Sequence, residues 1–330
     1  RIAELVPDKY PMAGMTSHKV TVGIYNVKDG KTIYLQAGDP TDRYFTNISW
    51  GPDEKSVFVI ELNRDQNHAQ LVQYDAVSGQ KIGVLYEEKH TRYVEPQHPL
   101  IFLPWDDSQF IYRTQRDGFN HLYLMDTKTK LKGEWKTGKD SEDQYCEYLK
   151  TEGNWLVQDV LGFNAARKEI IIASTEISPL QTNIFSLNVK NGKRTLIGME
   201  DGTHQAKLSA SGTYLIDYFT SNNVPREISI LPTTGKKGTT LFTATDPLKE
   251  NYNLPEITVG TIKAADGETD LYYRLIKPVN FDPNKKYPAI IYVYGGPHAQ
   301  MIHNTRFYDA RGWDLYMAQQ GYVMLTVDNR

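Results

Sequence analysis

The residues with the clearest potential for chemistry lie near the end of the chain, where an apolar run stops at a glycine turn. Residues 287–293 are almost entirely apolar or aromatic, and Tyr294, Gly295, Gly296 and Pro297 follow them. A continuous apolar run predicts a strand buried on both faces of a parallel sheet. The glycines allow backbone conformations that are closed to other residues, and the proline ends the strand. Because α/β enzymes place catalytic groups at the carboxyl ends of such strands, this loop is the first candidate site.

Other residues that could do chemistry are scattered along the chain. None of the eight histidines stands in His-Glu-x-x-His or another metal-ligand spacing, so no metal site is predicted. No Walker loop and no Gly-x-Gly-x-x-Gly fingerprint occurs, and we expect no nucleotide or other cofactor. His298 and His303 flank the candidate loop, and we interpret them as structural residues that could shape it.

The composition is that of an ordinary globular protein with room for two domains. The 330 residues carry a net charge of -3, with 40% hydrophobic and 23% charged residues. Without a basic excess, we expect no nucleic-acid partner. One cysteine, Cys146, leaves no intrachain disulfide and does not decide the redox compartment. No apolar run reaches the roughly 18 residues of a membrane span, so none is predicted in this segment.

A repeating unit organises residues 1–252. In one copy Trp50 precedes a Gly-Pro-Asp turn, and short strands with polar loops between them follow. Three further copies and an earlier partial one at 20–31 keep this order. Such repeats predict β-propeller blades, which must stack because a single blade cannot bury both faces. The alternative, a sandwich of unrelated hairpins, does not explain the fixed order of aromatic residue, turn and strand.

Two segments depart from the repeat. Residues 130–153 are polar and charged, and they predict a solvated loop inserted in the second blade. From residue 253 onward, alternation over 257–277 predicts a β-hairpin. The candidate strand, a helix over 306–320 with Gly321 as its C-cap, and a strand over 322–328 then predict a parallel α/β unit.

The two ends of the chain suggest a longer polypeptide. Arg1 is not an initiator methionine and no signal-peptide profile follows it. Arg330 comes directly after a predicted core strand. We therefore interpret the chain as an internal segment.

Four stretches, spread over nearly the whole chain, carry family motifs. They are an oxyanion-loop motif at 293–298, a following strand with Asp-x-Arg at 321–330, a Tyr-Pro-x-Ala-Gly segment at 9–14, and a blade sequence of bacterial members at 116–123. Their combination resembles the dipeptidyl peptidase IV subfamily of the prolyl oligopeptidase clan of serine peptidases.

The resemblance implies an eight-bladed propeller followed by an α/β-hydrolase domain. Residues 1–252 would be the C-terminal blades, and residues 253–330 the first part of the hydrolase domain. The serine of a Gly-x-Ser-x-Gly elbow, and the Asp and His after it, would lie beyond this segment, in which no such elbow occurs. The family's acidic pair that binds the substrate N-terminus would lie upstream. Glu87 and Glu88 are in the wrong place for it, and we interpret them as a solvated strand end.

The resemblance also implies site residues. Tyr294 would be the oxyanion-hole tyrosine, whose phenol O–H donates to the charge that develops on a tetrahedral acyl intermediate. Arg92, just before a Glu-Pro pair, would reach the substrate from the propeller, and Glu95 would bind substrate or hold Arg92. A solvated loop position is the alternative for Arg92.

The implied whole protein is a serine exopeptidase that releases N-terminal dipeptides with Pro or Ala at the penultimate position. Alternatives are a prolyl tripeptidyl or acylaminoacyl peptidase of the same clan, or a catalytically dead binding protein. The implied partners are peptides with a free N-terminus and a second copy in a homodimer, and the implied location is periplasmic or secreted.

Overall fold

The computed structural model describes residues 2–9, 12–38, 42–128 and 151–329, together with the backbone of 147–148. The chain divides into two compact units, residues 1–151 and residues 152–330.

Antiparallel sheets make up the first unit. A two-stranded sheet joins β1 (Gly23–Tyr25) to β2 (Thr32–Tyr34). A four-stranded meander follows, with β3 (Arg43–Trp50), β4 (Ser56–Asn63), β5 (His68–Asp75) and β6 (Lys81–Lys89). A second meander contains β7 (Ile101–Leu103), β8 (Asp106–Thr114), β9 (His121–Asp126) and β10 (Glu147–Tyr148). Within the predicted loop at 130–153, β10 is therefore a strand, and residues 130–146 and 149–150 lie outside the described residues.

The second unit begins with two more antiparallel meanders. The first contains β11 (Val157–Asn164), β12 (Glu169–Ser174), β13 (Asn183–Asn188) and β14 (Arg194–Ile197), with a 3₁₀ turn at Ala165–Arg167. The second contains β15 (Thr203–Leu208), β16 (Tyr214–Thr220), β17 (Glu227–Pro232) and β18 (Thr239–Thr243). A short helix, α1 (Pro247–Asn251), follows them.

These meanders confirm the predicted propeller architecture. Among the described residues before 253, four four-stranded sheets and one two-stranded sheet match the predicted four full blades and one partial blade. Each blade buries apolar side chains against its neighbour within the same unit. Phe58 of β4 shares a buried cluster with Phe110 of β8, and Ile171 of β12 shares one with Leu215 of β16. This face-to-face burial is why single blades are not stable alone.

The last sheet is the predicted α/β unit. It has the order β19 (Ile257–Lys263), β20 (Asp270–Ile276), β22 (Val323–Val327) and β21 (Ala289–Tyr292), and α2 (Gly312–Gln319) precedes β22. The predicted hairpin is β19 with β20, and β21 runs parallel to β22. The helix is shorter than predicted, because residues 306–309 form a 3₁₀ turn before α2. Gly321 follows the helix with φ +90°, as a C-terminal glycine should.

The prediction that the candidate strand is buried on both faces is wrong for this structure. β21 has a strand neighbour only in β22 and stands at the edge of the sheet among the described strands. Exposure of its side chains alternates because α2 packs on one face: Ile290 lies on the core under α2, whereas Ile291 on the opposite face is 64% exposed. In the part of the chain that the structure describes, no helix has the length and apolarity to cross a membrane.

Gly212 shows how tightly the blades of the second unit stack. It ends the turn between β15 and β16 with φ +69°, and a Cβ there would lie 1.9 Å from the Phe163 carbonyl oxygen of β11. Gly267 ends the comparable turn between β19 and β20 with φ +73° and open space around it.

We expect Gly212→Ala to lower the free energy of unfolding by about 2 kcal/mol more than Gly267→Ala. Both alanines bear the strain of positive φ, roughly 1–2 kcal/mol, but only the first must displace a backbone carbonyl. Urea unfolding of the two variants measures the difference. Equal losses would contradict this account of the blade contact.

Candidate active site

The candidate loop leaves β21 at an exposed tyrosine. The Tyr294 side chain is 64% exposed, so its phenol is open to a reactant. Gly295 takes φ +66°, which turns the chain directly after the tyrosine. A Cβ on Gly296 would lie 2.4 Å from Cε1 of the Tyr294 ring. Glycine at 296 is therefore what allows the ring to lie back against the turn.

Asp328, at the end of β22, holds the far side of the loop. Its Oδ1 accepts the backbone N–H of Met301 at 2.7 Å, and its Oδ2 accepts that of Ile302 at 3.1 Å. The side-chain amide of Asn329 donates to the Gly296 carbonyl at 3.4 Å. The sequence motif drew attention to residues 328 and 329, but it did not predict these bonds.

Arg274 of β20 is a buried cation beneath the loop. It is 2% exposed, and it donates to the carbonyls of Met301, at 3.3 Å, and Tyr308. It also donates to Thr326 at 3.2 Å and lies 3.5 Å from the buried carboxylate of Asp314 in α2. Burial lowers the pKa of Arg274, and the carboxylate of Asp314 opposes that shift. Sequence reasoning missed this residue, although a charge among apolar residues in an alternating strand was an available signal.

The segment after the loop is bound to the two blades of the second unit. The backbone N–H of Asn304 donates to the Leu180 carbonyl at 2.6 Å, and its side-chain amide donates to Asp201 at 2.6 Å. Arg306 donates to the Asn222 carbonyl at 2.5 Å and pairs with Asp246. The loop that carries Tyr294 is thus anchored both to the sheet and to the blades.

Arg92 and Glu95 lie in the first unit, in the segment that follows β6. Both side chains are exposed. The backbone N–H of Arg92 donates to Nδ1 of His90 at 3.1 Å, and Val94 between them is buried and bonded to the Gln66 carbonyl. The segment is therefore fixed at its middle and presents Arg92 and Glu95 outward. Tyr294 belongs to the other unit.

The interpretation of Glu87 and Glu88 as a solvated strand end is wrong. β6 continues to Lys89, and Glu88 is 8% exposed because it faces the neighbouring meander. Its Oε2 accepts the Thr114 hydroxyl at 2.7 Å, and burial raises the pKa of Glu88. Glu87 is partly buried and accepts the amide of Gln70.

The structure also gives individual histidines clear structural partners. His303 beside the loop pairs with Asp309 at 2.5 Å. His204, which the sequence did not single out, is buried between Asp217 at 2.8 Å and the Met199 carbonyl at 2.8 Å. Across the described ranges, no cluster of three or more His, Cys, Asp or Glu side chains could hold a metal ion.

Known proteins resemble this chain in sequence and in fold. The family model described as the dipeptidyl peptidase IV (DPP IV) N-terminal region matches residues 3–226. Mouse dipeptidyl peptidase 8 is 26% identical over 384 residues, an alignment that covers 98% of this chain and 42% of the mouse protein.

Two crystal structures share the fold over nearly the whole chain. A Bacteroides ovatus protein assigned as a dipeptidyl aminopeptidase IV has a TM-score of 0.89 and 54% identity, covering 98% of this chain and 46% of its own. Porphyromonas gingivalis dipeptidyl peptidase 4 has a TM-score of 0.81 and 26% identity, covering 98% and 43%. The chain thus spans less than half the length of these relatives. Because the family model matches most of its residues, the chain belongs to the dipeptidyl peptidase IV family and carries part of its N-terminal region.

Proposed function

We propose that this chain is a segment of a serine exopeptidase that releases N-terminal dipeptides with Pro or Ala at the penultimate position. In that protein, residues 1–252 are propeller blades and residues 253–330 begin an α/β-hydrolase domain. The observation that carries the proposal is the exposed phenol of Tyr294 on a glycine turn at the carboxyl end of β21.

The phenol would act when the serine attacks the scissile carbonyl. The carbonyl oxygen then becomes an oxyanion, and a donor held in place beforehand stabilises it without reorganisation. A Tyr294 O–H fixed by its turn suits this role. The serine itself, with its base, would come from a Gly-x-Ser-x-Gly elbow outside residues 1–330.

Arg92 and Glu95 would contribute to substrate binding. A guanidinium presents several donors in a planar fork, which suits the carbonyl groups of a bound peptide. The carboxylate of Glu95 would bind the substrate or orient Arg92. The exposure of the Arg92 side chain supports its availability to a peptide. A periplasmic or secreted location and a homodimer complete the proposal.

The test compares three chromogenic substrates with the full-length protein. We expect turnover of a Gly-Pro substrate, and much less of an Ala-Ala-Pro or an acetyl-Ala substrate. Turnover of only the tripeptide or only the acetylated substrate would replace the dipeptidyl assignment with the corresponding alternative. No turnover of any of them, with peptide binding retained, would favour the catalytically dead binding protein.

Residues 1–330 alone serve as a control, since they contain no elbow serine. We expect this polypeptide to show no turnover of the Gly-Pro substrate. Measurable hydrolysis by it would contradict the mechanism, because the nucleophile would then lie within these residues.

A further inference from the structure

Met301, in the loop that carries Tyr294, lies between two buried charges of opposite sign. Its backbone N–H donates to the Asp328 carboxylate at 2.7 Å, and its carbonyl accepts from the Arg274 guanidinium at 3.3 Å. Asp328 is 7% exposed and Arg274 is 2% exposed. Hydrogen bonds to ionised groups are the stronger ones, and these two hold residue 301 at both its N–H and its carbonyl.

The second oxygen of Asp328 is also occupied. It accepts the N–H of Ile302 at 3.1 Å, and the Ile302 side chain is fully buried. A buried N–H that loses its partner is costly, since water is not at hand to replace it. Both oxygens of this side chain must therefore be acceptors, a requirement that a carboxylate meets and a carboxamide does not.

The end of β22 holds the loop at two points. Asp328 holds its far side at 301 and 302, and Asn329 donates to the carbonyl of Gly296, the glycine against which the Tyr294 ring lies. The exposed ring makes none of these bonds itself. The direction of its phenol therefore depends on the backbone of the loop, which Asn329 holds at Gly296 and Asp328 holds at Met301 and Ile302.

We propose that Asp328 is a positioning residue for Tyr294, an inference that rests on the proposed oxyanion role of that tyrosine. It touches no substrate. It holds the backbone at Met301 and Ile302, with Arg274 bound to the carbonyl of Met301, so that the loop presents the phenol in one orientation. A displacement of about 1 Å is enough to reduce a rate by about 10²-fold, which makes such support consequential.

Asp328→Asn in the full-length protein tests the proposal. The variant keeps the shape of the side chain but places an NH₂ group against a backbone N–H. We expect hydrogen exchange in a peptide spanning residues 297–304 to rise about tenfold, because the loop opens more often. We also expect kcat to fall at least about tenfold with KM within about threefold, as for an interaction made only in the transition state.

Asp266→Asn is the matched control. Asp266 also accepts two backbone N–H groups, those of Glu268 and Thr269 at 2.9 Å each, but in the exposed turn between β19 and β20. We expect this variant to change neither kcat nor exchange at 297–304. A loss of kcat equal to that of Asp328→Asn would overturn the proposal.

A double-variant cycle separates positioning of Tyr294 from a general structural role. Compared with Tyr294→Phe alone, the double variant should have a kcat that is lower by less than about threefold, since the donor that Asp328 positions is already gone. Suppose that Tyr294→Phe lowers kcat as expected. If the effects of the two substitutions on kcat were then fully additive, or if hydrogen exchange at 297–304 were unchanged in Asp328→Asn, the positioning role alone would be overturned. A Tyr294→Phe protein with wild-type kcat would instead overturn the proposed function.

Discussion

Replacing Tyr294 with phenylalanine in the full-length protein is expected to lower kcat for a Gly-Pro substrate by about 10²–10³-fold, equivalent to about 2.7–4 kcal/mol of barrier. The substitution removes one hydroxyl and leaves the ring and the glycine turn in place. The phenol would act only on the charge that develops in the transition state, so KM should change little. Steady-state kinetics over a range of substrate concentrations gives both constants.

Tyr214→Phe is the matched control for this prediction. Tyr214 stands on β16 and is 53% exposed, close to the 64% of Tyr294, but it belongs to a propeller blade. We expect wild-type kinetics from it. If Tyr294→Phe kept more than about a third of the wild-type kcat, the oxyanion role would be wrong.

Replacing Arg274 with methionine is expected to lower the free energy of unfolding by about 3–5 kcal/mol. The methionine fills much of the space, but the carboxylate of Asp314 loses a buried cation. The carbonyls of Met301 and Tyr308 lose their donor as well. Urea unfolding followed by tryptophan fluorescence measures the loss, with Trp155 and Trp313 located in the second unit.

Lys263→Met is the control for burial. Lys263 is a cation on the neighbouring strand β19 and pairs with Asp270 at 2.8 Å, but the two side chains are 56% and 52% exposed. An exposed pair of this kind contributes at most about 1 kcal/mol. Similar losses from Arg274→Met and Lys263→Met would show that the buried cation has no special part in this sheet.

Local patterns in the sequence were sufficient for most of the elements and for their order. The recurring aromatic residue, turn and strand predicted the blades, and alternation around Asp266 and Gly267 predicted the hairpin of β19 and β20. The glycine after α2 predicted where that helix ends. These features depend on residues close together in the chain, whose periodicity and turn chemistry can be read directly.

Errors arose where the outcome depended on distant neighbours. The apolar run of β21 predicted burial on both faces, but α2 covers only the face of Ile290, and Ile291 on the other face is exposed. Glu88 looked like a solvated strand end, but β8 of the next meander covers it and Thr114 binds it. The elements that decide these two outcomes, α2 for β21 and β8 for Glu88, are not adjacent to them in sequence. No local pattern could therefore have shown which side chains are covered.

By itself, the sequence determined that this chain is a set of propeller blades followed by an α/β unit, with Tyr294 in the loop that ends a strand. Composition, repeats and turn residues carry that information because each reflects a local backbone preference. Only the tertiary structure decided what holds this loop. The bonds from Arg274 and Asp328 to Met301 join residues that are far apart in the chain, and they exist because β20 and β22 are neighbours in one sheet.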